Sequence, residues 1–217
     1  MSWSIPHNWF SSKVFIIAGG PSVAGLDLCL PPRDGRFGIE SWLYDREVIG
    51  VNSAFRLGSW VDVAFFGDAK FYWWNRSDLA WFSNPKISCD TCWPGRDKSI
   101  VGETEVNVIG KGCTRGFDNR PTHIGWNRSS GAAAIDLAYH LGGRKIFLVG
   151  YDMKRSDDGR AKNWLAHSQE STNQNPYEFM RGGMKWIADQ MPADLEIFNC
   201  TPDSALDMFP FVRLEDV

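Results

Sequence analysis

The chain has 217 residues, a formal net charge of −3 and an apolar fraction of 43%. That length supports one sizeable core and is cramped for two full domains, so we expect a single domain spanning residues 1–217. The negative charge does not favour a surface that wraps a phosphate backbone. A nucleic acid is therefore the less favoured partner, although it is not excluded.

Three short apolar segments near the start of the chain each end in small polar residues. The segment from Lys13 runs into Gly19-Gly20-Pro21-Ser22, EVIGV runs into Asn52-Ser53, and DVAFFG runs into Asp68. Strands that are apolar on both faces are typical of the middle of a parallel sheet. Because parallel strands end at the same edge, we expect these polar groups to line a nucleotide site there.

The glycine turn after the first strand excludes two common classes of nucleotide site. It lacks the G-x-G-x-x-G pattern of classical dinucleotide binding, and no G-K-[ST] follows to make it a P-loop. A nucleotide at this turn would therefore be held by backbone groups and small side chains.

The segment from Asn127 to Met153 carries the clearest helix and strand signal of the sequence. Ser129 and Ser130 are N-cap residues before an alanine-rich run, and Gly142-Gly143 marks its end. The apolar strand IFLVG follows and leads to Asp152. We expect Ser129, Ser130, Gly131 and Asp152 to join the same polar edge.

Residues 89–126 are rich in Gly, Pro and Asn, with strand signals at Lys86–Ser88 just before them and at Glu105–Ile109 within them. This length of irregular chain predicts an inserted, loop-rich region. It carries Cys89, Cys92, Cys113 and His123, the ligand types of a zinc site. The pattern lacks a second C-x-x-C, so our prediction of the site includes no metal and leaves zinc open.

A second polar loop covers residues 154–176 and contains His167 beside Ser168. A histidine in a loop beyond a strand end can titrate near neutrality and act as a general base, and a plain surface histidine is the alternative. The spacing of apolar residues then predicts a helix over 176–190, and a closing strand follows over 195–200. The whole pattern predicts an α/β protein with a Rossmann-like, mostly parallel sheet, flanking helices and two inserted loops.

Five ordered segments carry a family resemblance: AGGPS, VNSAF, RSSGAAAIDLAYHLGGRKIFLVGYDM, AHS and NCTPDSALDMFP. Between Val14 and Pro210 they resemble the bacterial sialyltransferases that use CMP-sialic acid. They are also similar to the wider Rossmann-like group of 6-hydroxymethylpterin pyrophosphokinase-like proteins, which has many phage and bacterial members.

The resemblance implies a role for particular residues. In those sialyltransferases the nucleotide lies at a glycine loop after the first strand, an Asn after the second and a Ser-Gly at a helix start. The matching positions are Gly19, Gly20 and Ser22, then Asn52, then Ser130 and Gly131. The family's catalytic histidine stands in a His-Ser pair after an LxGxD strand, which implies that role for His167.

This chain departs from the family at three places. An Asn of the glycine loop is replaced by Gly19 or Gly20, and the arginine near the Ser-Gly motif is offset by one position. The paired tyrosines that contact the leaving phosphate have no clear equivalents. The candidates for that contact are Arg128, Arg160, Lys162 and Tyr177.

The sequence therefore predicts a metal-independent glycosyltransferase that needs no cofactor. It would move a sugar from a nucleotide-activated donor to a hydroxyl of an acceptor glycan or small molecule. One alternative is a Mg-dependent ATP pyrophosphokinase or phosphotransferase, with Asp68 and Asp152 as the available carboxylates. Another is a nucleotide or sugar binder without catalysis.

The sequence also carries a prediction of location. No apolar run reaches the roughly 20 residues of a membrane span, and the first residues lack the apolar core of a secretory signal, so we expect a cytoplasmic protein. A homo-oligomer stays open.

Overall fold

The structure is a computed structural model and describes residues 3–10, 13–25, 43, 46–91, 99–155 and 175–217. Cys92, Arg160, Lys162 and His167 lie outside these residues, so what was expected of them stays a prediction. Within the described ranges, no helix is both long and apolar enough to cross a bilayer.

Seven described strands form one parallel sheet, which confirms the predicted Rossmann-like class. The strands of this sheet are β1 (Lys13–Ile17), β2 (Glu47–Val51), β3 (Val63–Phe66), β4 (Lys86–Ser88), β5 (Asn107–Val108), β8 (Lys145–Val149) and β9 (Glu196–Asn199). Two further strands, β6 (Gly110–Lys111) and β7 (His123–Ile124), pair with each other in a separate small ladder. The predicted strand over 105–109 is thus shorter than expected, and β6 and β7 were not predicted.

Helices cover both faces of the sheet, which is why its strands are apolar on both sides. The helices are α1 (Ala69–Leu79), α2 (Ser130–Leu141) and α3 (Pro176–Asp189). Ile16 and Ile49 pack in one core with α2 and α3, whereas Phe15 and Phe66 pack with α1 in the other. Alternate residues of a strand point to opposite faces, so each strand supplies both cores.

The ends of α2 lie where the sequence predicts them. The Ser129 side chain accepts a hydrogen bond from the Ala132 amide at 3.2 Å, and Gly142 closes the helix in the left-handed region with a φ of 115°. The stretch 127–153 is therefore an N-capped helix followed by a central strand.

The strand order is β5-β4-β3-β2-β1-β8-β9. The chain moves outward from β1 to β5, crosses back through α2, and continues outward on the other side through β8 and β9. The order therefore reverses between β1 and β8. In open parallel sheets, ligands bind outside the carboxyl ends of the strands at such a switch point.

The inserted region is fastened to α2 by one buried carboxylate. Asp136 is 0% exposed. Its Oδ2 accepts hydrogen bonds from the Gly125 amide at 2.6 Å and the Asp118 amide at 3.0 Å. This contact holds the chain on both sides of β7 against the helix, and so fixes the approach to the start of α2.

Candidate functional site

The glycine turn after β1 and the loop after β8 meet at the switch point. The Gly20 amide donates to the Gly150 carbonyl at 2.9 Å. Ser22 donates twice to Asp152, through its hydroxyl to Oδ2 at 2.8 Å and through its amide to Oδ1 at 3.2 Å. Asp152 is 7% exposed, so both of its oxygens act mainly as a clamp on the turn. The Gly19 amide makes no hydrogen bond to the described part of the chain and remains available.

The clamp explains why glycine stands at position 20. A Cβ there would lie 1.8 Å from Asp152 Oδ2 and 2.4 Å from the Gly150 carbonyl oxygen. The Asp152 carboxylate thus fills the space that a side chain at position 20 would need. A larger residue such as asparagine would therefore not fit at position 20 beside the Asp152 carboxylate.

Asn52 and Ser53 follow β2, the strand next to β1 on the other side. Asn52 has a φ of 52°, a left-handed conformation that asparagine tolerates better than most residues. Neither side chain donates or accepts a hydrogen bond within the described residues, and both are partly exposed. Their amide and hydroxyl groups are therefore free to bind a ligand.

The N-terminus of α2 lies above these strand ends. Ser130 Oγ accepts from the Gly67 amide after β3 at 3.2 Å, and the Tyr151 hydroxyl after β8 donates to the Gly131 carbonyl at 3.0 Å. Because β2 and β1 lie between β3 and β8 in the sheet, the helix start spans the ends of both. The Ser130 and Gly131 amides make no intrahelical bond, and helix N-termini of this kind favour anions.

Backbone strain is concentrated at this edge. The non-glycine residues with positive φ in the described part of the chain lie in the connections at this edge, where Asn52 begins a short 3-10 helix: Asn52, Asn127, Arg128, Met153 and Asp203. Such conformations are costly and recur at functional sites, where the surrounding structure holds them. Their placement supports the carboxyl edge as the working surface of the protein.

A charged cluster, missed by the sequence analysis, continues the edge beyond β3. Lys111 of β6 places its Nζ 4.1 Å from the Trp126 ring centre and 3.9 Å from Asp90 Oδ1. Nearby Asp68 keeps solvent contact, yet desolvation by the surrounding protein raises its pKa, an effect that the Lys111 charge partly offsets. Asp90, Lys111 and Trp126 come together only through the insertion, and no local pattern in the sequence marks them, whereas Asp68 was predicted from the end of β3.

Tyr177 and Arg128 flank the edge on the α3 side. Burial raises the pKa of the Tyr177 hydroxyl, the negative charge of Asp152 raises it further, and Arg155 opposes both. The Arg128 guanidinium lies over the rings of Trp186 and Phe179. The Tyr177 hydroxyl therefore feels the charge of Asp152, whereas Arg128 lies against α3.

The structure does not bring together Cys89, Cys113 and His123, the described members of the zinc set raised by the sequence, and Cys92 lies outside the described residues. No group of three or more His, Cys, Asp or Glu side chains able to hold a metal is present in the described ranges. Cys89 is buried, and burial raises the pKa of its thiol to about 12. His123 instead forms a 2.8 Å hydrogen bond with the Thr122 hydroxyl.

A cavity of about 360 Å³ lies away from this edge. Phe55, Arg56 and Gly58 line it together with the end of α1 and the residues after it. The lining residues that follow α1 precede β4 and so lie at the amino edge of the sheet. The cavity is therefore separate from the polar groups of the switch point.

A parallel sheet with free backbone donors and small polar side chains at its switch point defines a Rossmann-like α/β protein with a candidate nucleotide site. No family model matches the sequence, and no curated protein matches it significantly. Several solved structures share the fold.

The chain is similar in fold to the MAf glycosyltransferase from Magnetospirillum magneticum AMB-1, with a TM-score of 0.63 and 14% identity over 100% of its own length. It spans only 36% of that protein. It is also similar to the sialyltransferase CstII from Campylobacter jejuni solved with cytidine-5'-monophosphate, with a TM-score of 0.53 and 15% identity over 94% of this chain and 85% of that one. The sialyltransferase CST-II solved with a trisaccharide acceptor and CMP has a TM-score of 0.54 and 14% identity, over 92% of this chain and 85% of that one. At these identities the likeness shows the fold, and it confirms the predicted resemblance to the sialyltransferases at that level. The predicted similarity to the pyrophosphokinase-like group stays a prediction.

Proposed function

We propose that the protein is a glycosyltransferase that uses a nucleotide-activated sugar. The observation that carries the proposal is the free donor set at the switch point, made of the Gly19, Ser130 and Gly131 amides with the Asn52 and Ser53 side chains. This set stands in a fold that it shares, over nearly all of its length, with proteins described as glycosyltransferases.

In the proposed reaction, an acceptor hydroxyl oxygen attacks the anomeric carbon of the donor sugar. The bond between that carbon and the nucleotide phosphate oxygen breaks, and the phosphate leaves with the electron pair. The transition state is oxocarbenium-like. The α2 N-terminus would stabilise the charge that develops on the phosphate, because its free amides and dipole already point there.

His167 is proposed as the base that takes the proton of the acceptor hydroxyl. Arg160, Lys162 and Tyr177 are the proposed contacts of the leaving phosphate. Support for His167, Arg160 and Lys162 comes from the sequence alone, whereas for Tyr177 the structure adds that the charge of Asp152 raises its pKa. The reaction is proposed to need no metal.

The phosphotransferase alternative meets a geometric difficulty. Asp68 follows β3 and Asp152 follows β8, with β2 and β1 between them. At the usual spacing of strands, their positions are about 14 Å apart. Two carboxylates at that separation do not bind one Mg²⁺ ion, whose ligands lie at roughly 2 Å.

Ligand binding is the first test of the proposed function. A panel of nucleotides and nucleotide sugars should contain one that raises the melting temperature by about 5–10 °C at a hundredfold excess over its Kd, because it binds only the folded state. The same donor should be consumed with EDTA present. Stabilisation by ATP with consumption that requires magnesium would instead favour phosphotransfer, and a ligand that binds without being consumed would favour a binding protein.

The second test addresses His167. Replacing it in His167→Ala should lower turnover about a hundredfold or more while donor binding persists, as for the loss of a general base. The matched control is His7→Ala, because His7 is exposed and bonds the carbonyl of His140 at the far end of α2. Near-full activity of His167→Ala with the identified donor would refute its role.

A further inference from the structure

Two arginines share one tryptophan of α3. The Arg128 Cζ lies 4.0 Å from the ring centre of Trp186 and 4.5 Å from that of Phe179. The Arg115 Cζ lies 4.6 Å from the same Trp186 ring. We call Arg115, Arg128, Phe179 and Trp186 the arginine stack. Two like charges are thereby held over one indole ring, where the attraction of each guanidinium for the ring offsets part of their repulsion and an anion would offset more of it.

Neither arginine of the stack has a carboxylate partner in the part of the chain that the structure describes. Within the described residues, Arg115 and Arg128 form no ion pair, whereas other arginines on the surface do. Arg76 is the informative contrast, because it lies 5.2 Å from the Trp73 ring yet also bonds Glu103. The N–H groups of the stack are therefore left for an outside oxyanion, which guanidinium groups bind in a forked geometry.

The backbone around the stack is built to hold it. Asn127 is fully buried, and its side chain bonds the Gly116 amide at 2.7 Å and the Gly116 carbonyl at 2.8 Å. This contact fixes the residue next to Arg115. Asn127 and Arg128 themselves have φ values of 48° and 67°, a left-handed backbone conformation that is strained for residues with a side chain.

Two glycines in the interior of α3 complete the arrangement. A Cβ at Gly183 would lie 1.9 Å from the Asn127 carbonyl oxygen, and one at Gly182 would lie 2.9 Å from Arg128 Nη1. A helix-interior glycine costs about 1 kcal/mol relative to alanine. The two glycines thus lower the stability of the helix, and they allow Arg128 to lie close against its face.

The position of the stack relates it to the candidate site. Arg128 immediately precedes the Ser129 cap of α2, and Phe179 lies in the first turns of α3, at the carboxyl edge, with 56% of its surface exposed. The stack therefore begins beside the proposed donor site and continues along α3. An exposed aromatic ring with free arginines beside it suits a sugar ring that bears a negative group.

We propose that the arginine stack binds an anionic acceptor glycan, through a carboxylate or phosphate group on the sugar. The acceptor role rests on the proposed glycosyltransferase function, whereas the binding of an acidic sugar can be measured without it.

The test compares labelled disaccharides by fluorescence anisotropy. One carries a glucuronate, one carries a sugar phosphate, and one is the glucuronate disaccharide with its carboxyl group reduced to an alcohol. At least one acidic disaccharide should bind about tenfold tighter than the neutral one, and Arg115→Gln should remove that preference. Arg128→Gln should do the same, while Arg76→Gln, a matched control with its own carboxylate partner, should leave it intact.

Each outcome bears on the proposal. Equal binding of acidic and neutral sugars, or an unchanged preference in a folded Arg115→Gln protein, overturns it. If a single-stranded oligothymidylate binds more tightly than either acidic disaccharide, and the same variants lose that binding, the stack is a nucleic acid surface instead. If no nucleotide sugar binds the wild type while the acidic preference holds, the proposed function and the acceptor role fail, and the anionic site stands. If a donor binds and the preference is absent, only this inference fails.

Discussion

The buried Asp136 carboxylate makes stability depend on pH in a direction opposite to that of most carboxylates. Burial raises its pKa to about 7, the amides of Asp118 and Gly125 lower it, and the Asp118 charge raises it. Its Oδ1 has no hydrogen-bond partner and lies 3.7 Å from His140 Nε2, which also has none. The folded protein therefore holds a proton on Asp136 that the unfolded chain releases.

The sign and the size follow from this difference in protonation. A raised pKa contributes stability that is fully present below the unfolded value near 4 and is lost as the pH rises towards 7. Between about pH 5 and pH 8 the loss is about 3 kcal/mol, because pH 5 lies two units below the folded pKa. Burial lowers the pKa of His140, which gives the opposite slope below about pH 6.5.

Asp136→Asn isolates the carboxylate, because His140 is present in both proteins. The amide oxygen can still accept from the Gly125 and Asp118 amides. Urea unfolding across this range should show the variant gaining about 3 kcal/mol relative to wild type as the pH rises.

Asp118→Asn is the matched control for this experiment. Hydrogen bonding to Arg120 lowers the pKa of Asp118, so its contribution is lost only as the pH falls below about 4. The titration of Asp118 itself should therefore add no slope between about pH 5 and pH 8. Because the Asp118 charge is the last of the causes that act on the pKa of Asp136, its removal should change the curve there much less than Asp136→Asn does. Parallel stability curves for wild type and Asp136→Asn would refute the reasoning.

Two further substitutions test the contacts that shape the site. Gly20→Ala should destabilise by about 3 kcal/mol in urea unfolding, because the new methyl group displaces the Asp152 carboxylate from its hydrogen bonds. Gly102→Ala, which adds a methyl group in open space at positive φ, should cost about 1 kcal/mol, and an equal loss in both would contradict the clamp. Ser129→Ala should lower stability by about 1 kcal/mol through the lost cap on the Ala132 amide, and no change in the urea midpoint would count against that cap.

Much of the fold could be predicted because it depends on local pattern. Adjacent residues are enough to predict the strands β1, β2, β3 and β8, which are apolar runs. They are also enough to predict the capped helix between Ser129 and Gly142. The short ladder of β6 and β7 could not be predicted, since two-residue strands carry no periodicity and their pairing depends on a distant partner.

The candidate site divides in the same way. The sequence by itself determined which residues end the strands and begin α2, and so which polar groups can reach the carboxyl edge. Only the tertiary structure decided how they are used. In the structure, Ser22 and Asp152 bond each other as a clamp, and Lys111 lies at the same edge. Gly19, Asn52 and Ser53 keep groups that make no hydrogen bond within the described residues.

The arginine stack is the clearest case of this second kind. Arg115 and Trp186 are far apart in the chain, and neither belongs to a motif. Their contact requires the crossover through α2, the glycines of α3 and the Asn127 turn to be correct together. Local chemistry determines the elements of a fold, whereas contacts between distant residues follow from the topology that brings those elements side by side.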